Sequence, residues 1–134
     1  MTRKNSKQAR AARLLREMRK DAPVLQVQFF RQGNSEPVRE WLQGLPKSIR
    51  HKIGTNVQAV QWRWPVGPPL VDGFGSGLYE VRTSVDDDIY RVFFCNIQHT
   101  MVLLHGFMKK TQQTPKAELD VARKRQRIVK ETLS

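Results

Sequence analysis

A chain of 134 residues with 39% hydrophobic side chains holds material for one modest core, and needs no second domain. A single cysteine, Cys95, excludes an intramolecular disulfide framework. The formal charge of +12, from 24 Lys and Arg against 12 Asp and Glu, steers polyanions toward the surface, nucleic acid first. The chain holds no apolar run approaching the ~18 residues of a membrane span, and the charged N-terminus is not followed by the apolar core of a signal peptide. No membrane partner and a cytoplasmic location are therefore expected.

Residues 1–22 read as a basic, partly helical arm, with Arg3, Lys4, Lys7, Arg10, Arg13, Arg16, Arg19 and Lys20 around a thin stripe of Ala11, Leu14, Leu15 and Met18. The domain proper is expected over 23–134. Val24 to Phe30 reads as a first strand. From Glu36 to Leu45, Val38, Trp41, Leu42 and Leu45 stand at i, i+3, i+4 and i+7, the spacing of a short helix with Ser35 as its cap. Pro46 opens a second helix with the stripe Ile49, Ile53, Val57, Val60, stopped at Trp62-Arg-Trp-Pro65. The two form a helical hairpin. Gly67 to Gly77, with four glycines, reads as a bend. It lacks the Gly-Lys-Ser/Thr ending of a phosphate-binding loop.

Three strands follow, Leu78–Thr83, Ile89–Ile97 and Met101–Phe107, turned on Asp86-Asp87-Asp88 and on Gln98-His99. Such short links make antiparallel neighbours. A last helix is expected from Pro115 to about Lys130, capped by Thr114. The fold class is therefore α+β: an antiparallel sheet of about four strands, packed with an N-terminal helical hairpin and a C-terminal helix. Helices cover one face and leave the other partly open.

The candidate chemistry lies on the later strands. The Asp86-Asp87-Asp88 turn sets Arg82 opposite Arg91, a pairing that needs solvent, a carboxylate such as Glu80, or a bound phosphate. The next turn brings His105 near Arg91. Lys109 and Lys110 leave the final strand beside hydroxyls and amides. His51, His99 and His105 are scattered, and no metal-ligand spacing is present. Cys95 lies in an apolar run and reads as a buried thiol. Ribonuclease chemistry without a metal or cofactor would need positive charge at the scissile phosphate and proton carriers. Arg82, Arg91 and Lys109 supply the charge and His105 the proton transfer. Lys110, Arg123, Lys124 and Arg127 are the expected RNA contacts.

The stretches Val38-Arg-Glu-Trp-Leu-Gln-Gly-Leu-Pro46, Gly77-Leu-Tyr-Glu-Val-Arg82, Tyr90-Arg-Val-Phe-Phe94 and Leu103-Leu-His-Gly-Phe-Met-Lys-Lys-Thr-Gln-Gln-Thr-Pro115 resemble the RelE/ParE toxin superfamily, in its HigB-like, phage-derived branch. The continuation Glu118-Leu-Asp-Val-Ala-Arg-Lys-Arg125 fits the same pattern. The resemblance spans roughly residues 24–130. It implies a RelE-like fold and the toxin of a type II toxin–antitoxin pair, a ribosome-dependent, metal-independent mRNA endonuclease that inhibits translation. A non-enzymatic toxin that poisons gyrase or another replication protein is the alternative. The implied partners are a cognate antitoxin, the ribosome and mRNA. By position, Arg82, Arg91, Lys109 and Lys110 match the family's basic residues. The tyrosine that some relatives carry beyond the last strand has no counterpart between Thr111 and Pro115.

Overall fold

The computed structural model describes residues 7–11, 13–14, 22–110 and 113–133. Residues 7–11 and 13–14 are helical. The rest of the arm, with Arg3, Lys4, Arg16, Arg19 and Lys20, lies outside the described residues, as do Thr111 and Gln112.

The ordered elements are β1 (Gln26–Phe29), α1 (Pro37–Gln43), α2 (Lys47–Arg63), β2 (Val71–Gly75), β3 (Leu78–Val85), β4 (Asp88–Ile97), β5 (Thr100–Lys109) and α3 (Lys116–Leu133). The expected helices form where their apolar stripes stand. Val38 anchors α1, and Ile53, Val57 and Val60 anchor α2. Two caps differ from expectation. The N-cap of α1 is Glu36, and the Ser35 hydroxyl donates to the Glu40 carboxylate at 3.0 Å instead. Thr114 donates its hydroxyl to Glu80, 34 residues earlier, at 3.0 Å.

The sheet has five strands in the order β1-β5-β4-β3-β2. This corrects the expectation of about four antiparallel strands in two ways. First, β1 pairs in parallel with β5, Gln26 beside Thr100 and Phe29 beside Leu103. Second, part of the expected glycine-rich bend is a strand: β2 pairs with β3, Val71 beside Val81 and Asp72 beside Glu80, with an irregularity between Gly73 and Gly75. The β2–β3 turn needs left-handed backbone at Ser76 (φ 56°) and Gly77 (φ 78°). Gln98 (φ 51°) and His99 (φ 62°) do the same between β4 and β5, as two-residue hairpin turns of the primed kind require.

The register sets Arg82 opposite Arg91. It sets His105 opposite Phe93, and Phe107 opposite Arg91, so the expected neighbourhood of His105 and Arg91 is corrected by one step of two residues. A bulge between Phe93 and Phe94 leaves Leu104 as the extra residue of β5.

Both faces of the sheet are covered, which corrects the expectation of a partly open face. Val81, Tyr90, Val92, Phe94, Met101 and Leu103 pack with Val38, Ile53, Val57 and Val60 of the helical hairpin. Leu78, Phe93, Cys95, Val102, Leu104 and Phe107 pack with Ala122 of α3. Gly106 is fixed by the first of these layers. A Cβ there would lie 2.3 Å from the Trp41 ring, so the indole lies flush on β5 only because the strand has no side chain at that point. Among the described residues no helix is long and apolar enough to cross a membrane.

Candidate nucleic-acid interface

The pairing of strands arranges the candidate residues in rows on the α3 side of the sheet. One row is Asp72, Glu80, Phe93, His105. The next is Arg82, Arg91, Phe107, and the last, at the open end beyond α3, is Ser84, Ile89, Lys109. The first two rows build an ion-pair network. Glu80 and Arg91 are both 0% exposed. One Glu80 oxygen, Oε1, accepts from Arg82 Nε and from Arg91 Nη1, each at 2.8 Å. Arg82 Nη2 donates to Asp72 Oδ2 at 2.9 Å, and Arg91 Nη1 also reaches Thr114 Oγ1 at 3.3 Å. A carboxylate this deep is held only because two guanidinium groups and a hydroxyl satisfy it. Two acids and two arginines leave the network near neutral.

Arg82 remains 22% exposed. Two carboxylates orient its guanidinium, while Nη1 makes no hydrogen bond among the described residues. Arg82 lines an open cavity of about 330 Å³ with Pro69, Leu70, Ser84 and Ile89. Lys109 and Lys110 are exposed at this end. The Lys110 ammonium stands 3.7 Å from Asp88, an exposed pair worth ~0–1 kcal/mol. Asp86 and Asp87, exposed at the hairpin tip, bound the basic area on that side.

The other candidates sit apart from this end. His105 Nε2 lies 2.6 Å from Glu118 Oε2 and ties β5 to the first turns of α3. Arg125 Nη1 donates to the Leu104 carbonyl at 2.8 Å and lies 3.4 Å from His105 Nδ1. Burial pulls the Arg125 pKa below its ordinary value. Arg123 donates to the main-chain carbonyls of Phe74 and Gly75, and Gln126 to that of Ser76 at 2.7 Å, so α3 clamps the β2–β3 turn. Lys124 and Arg127 are exposed on α3, with Asp120 and Glu131 one helical turn away. Among the described residues no group of three or more His, Cys, Asp or Glu is placed to hold a metal ion.

One further set of cations belongs to no motif. Lys47, Arg50 and Lys52 are exposed on α2. Their signal in the sequence is an absence: no Asp or Glu occurs from Trp41 to Val71.

A family model described as Phage derived protein Gp49-like (DUF891) matches residues 40–127. No curated protein matches the chain. The family match overturns the identification with the RelE/ParE superfamily and its HigB-like branch. The toxin of a type II toxin–antitoxin system, the mRNA endoribonuclease and the inhibition of translation fall with it, as does the gyrase-poisoning alternative. The stretches that carried that resemblance lie mostly within the matched span, and much of what they encode is the frame of the fold: Arg82 and Arg91 around Glu80, Trp41 on Gly106, His105 on Glu118. The chain belongs to the family of Gp49-like phage-derived proteins.

Proposed function

We propose that this protein binds the phosphate backbone of RNA at the open end of the sheet, the end that carries Arg82, Lys109 and Lys110. Lys124 and Arg127 add outlying contacts along α3. In this reading Arg91 and Arg123 hold the fold, and His105 positions α3 through Glu118. The observation that carries it is the state of Arg82. Its guanidinium is oriented by Glu80 and Asp72 and keeps Nη1 uncommitted beside an open cavity. A guanidinium fixed in this way loses little entropy on gripping a phosphate. The exposed lysines supply the attraction that the near-neutral network does not. Of the partners expected from the sequence, RNA, whether messenger or ribosomal, fits this chemistry. The acidic segment of a partner protein, as an antitoxin would offer, is the competing outcome.

The test is fluorescence anisotropy with a labelled single-stranded RNA across a salt series. Replacing Lys109 and Lys110 together by Gln should weaken binding and lower the slope of log K against log salt by about 1.4, the value for two phosphate contacts on a single strand. An unchanged slope and affinity in the folded K109Q/K110Q variant would sink the reading. Preferential binding of poly-glutamate over RNA would replace it with an acidic protein partner.

A further inference from the structure

The outward face of α2 is uniformly basic. Helical geometry puts Lys47, His51, Gly54 and Trp62 within about 80° of one another, with Arg50 and Lys52 on either side. All six are exposed. No acidic residue lies between Trp41 and Val71 to neutralise them. By contrast, the outer side of α3 alternates its cations with Asp120 and Glu131.

Helix stability does not explain this choice of residues. Lys47 and Arg50 stand in the first turn, where the helix dipole disfavours cations, and that turn holds no acid and no side-chain cap. Gly54 sits mid-helix, where glycine is unfavourable. Internal packing does not require it, because a Cβ at that position would meet nothing within 4 Å. A glycine that the interior does not need, on an exposed basic face, fits the close approach of something from outside. Trp62 completes the pattern. It is 41% exposed, the only large apolar side chain left exposed on α2, and lies about 16 Å along the axis from His51.

We infer that this face binds single-stranded nucleic acid. Lys47, Arg50 and Lys52 take backbone phosphates, Gly54 admits the strand close to the helix, and Trp62 stacks on a base. The exposed indole favours a nucleic acid over an acidic protein, since every base has a face to stack. One apolar residue on an otherwise polar face is too little for a lipid surface. The inference shares the polyanion reading above but uses none of its residues.

The experiment uses the full chain and a fluorescein-labelled 12-nucleotide single-stranded RNA, with the DNA of the same sequence as a second probe. The folded triple variant K47Q/R50Q/K52Q should bind at least tenfold more weakly, with a salt slope lower by about 2, for three phosphate contacts. W62A should lose roughly fivefold or more, with its salt slope unchanged, and W62F should recover most of that loss. Gly54→Leu should weaken binding while circular dichroism shows helix content undiminished. Wild-type affinity and slope in the triple variant would overturn the inference. So would a silent W62A combined with equal binding of poly-glutamate, which would make the occupant an acidic protein. The K109Q/K110Q variant separates the two readings. A loss there with none in the triple variant removes this inference and leaves the open-end site standing; the reverse result leaves only α2. If wild type binds neither RNA nor DNA at low salt, both fall.

Discussion

The two layers that sandwich the sheet treat charge in opposite ways. Under the helical hairpin the described interior is mainly apolar, with Asn56 Nδ2 donating to Thr83 Oγ1 at 2.9 Å and to the Arg82 carbonyl at 3.5 Å, and the cations of α2 point outward. Under α3, two arginines are turned inward against Glu80, and Arg125 is partly buried over the Phe30 ring at 5.7 Å. The first arrangement leaves cations able to attract a polyanion. The second commits Arg91 and Arg125 to the fold and leaves only the outer part of Arg82 facing solvent. A formal charge of +12 is therefore a poor measure of binding surface until each cation has been assigned to the inside or the outside.

The sharpest way to break this comparison is to remove the acid that allows the inward arginines. Glu80→Ala should leave Arg91 buried without its charge partner and cost about 3–5 kcal/mol, the usual penalty for breaking a buried pair from one side. Urea unfolding measures it, and a loss below about 1 kcal/mol would mean that Arg91 escapes to solvent. The apolar layer has a smaller counterpart. Gly106→Ala places a Cβ against the Trp41 ring and should cost about 1–3 kcal/mol by overpacking, with a change in tryptophan fluorescence. An undisturbed spectrum would show that the indole has room to move.

The smallest effect concerns the one thiol. Burial pushes the Cys95 pKa from 9.0 up to about 11, against the opposing pull of Lys130. The unfolded chain then releases its thiol proton first as pH rises. This contribution to stability is whole below pH 9 and is lost between pH 9 and about 11. Subtracting the stability of Cys95→Ala across that range isolates it from the lysines and tyrosines. A pH-independent difference would put Cys95 in contact with water.

What was legible in the sequence was local. The aspartates at 86–88 were enough to place Arg82 opposite Arg91, and Gln98-His99 located the next hairpin. The parallel partner of β1 was hidden because its signal lies across more than half the chain. Strand β2 was hidden because Gly73 and Gly75, which shape its irregular pairing, look like turn residues when read alone. The bulge at Leu104 shifted His105 away from Arg91, and no pattern of alternation records an extra residue. At the candidate site, the charged residues themselves were visible. Whether each faced a carboxylate or the solvent was not, because that depends on the register and on the loop that brings Thr114 to Glu80. The basic face of α2 is written in the sequence as a run without acids, from Trp41 to Val71, and not as a motif.

The parallel pairing of β1 also bears on the order of assembly. Strands β2 to β5 are joined by tight turns and pair with their neighbours in sequence, so they close short loops at low entropic cost. Gln26 must instead find Thr100, a search that gains nothing until β5 is in place. Strand β1 is thus expected to dock last and to open first. Amide exchange should run fastest, within the sheet, through the four residues of this edge strand. Among the described strands, the sheet then gains its one non-local pairing at the final step.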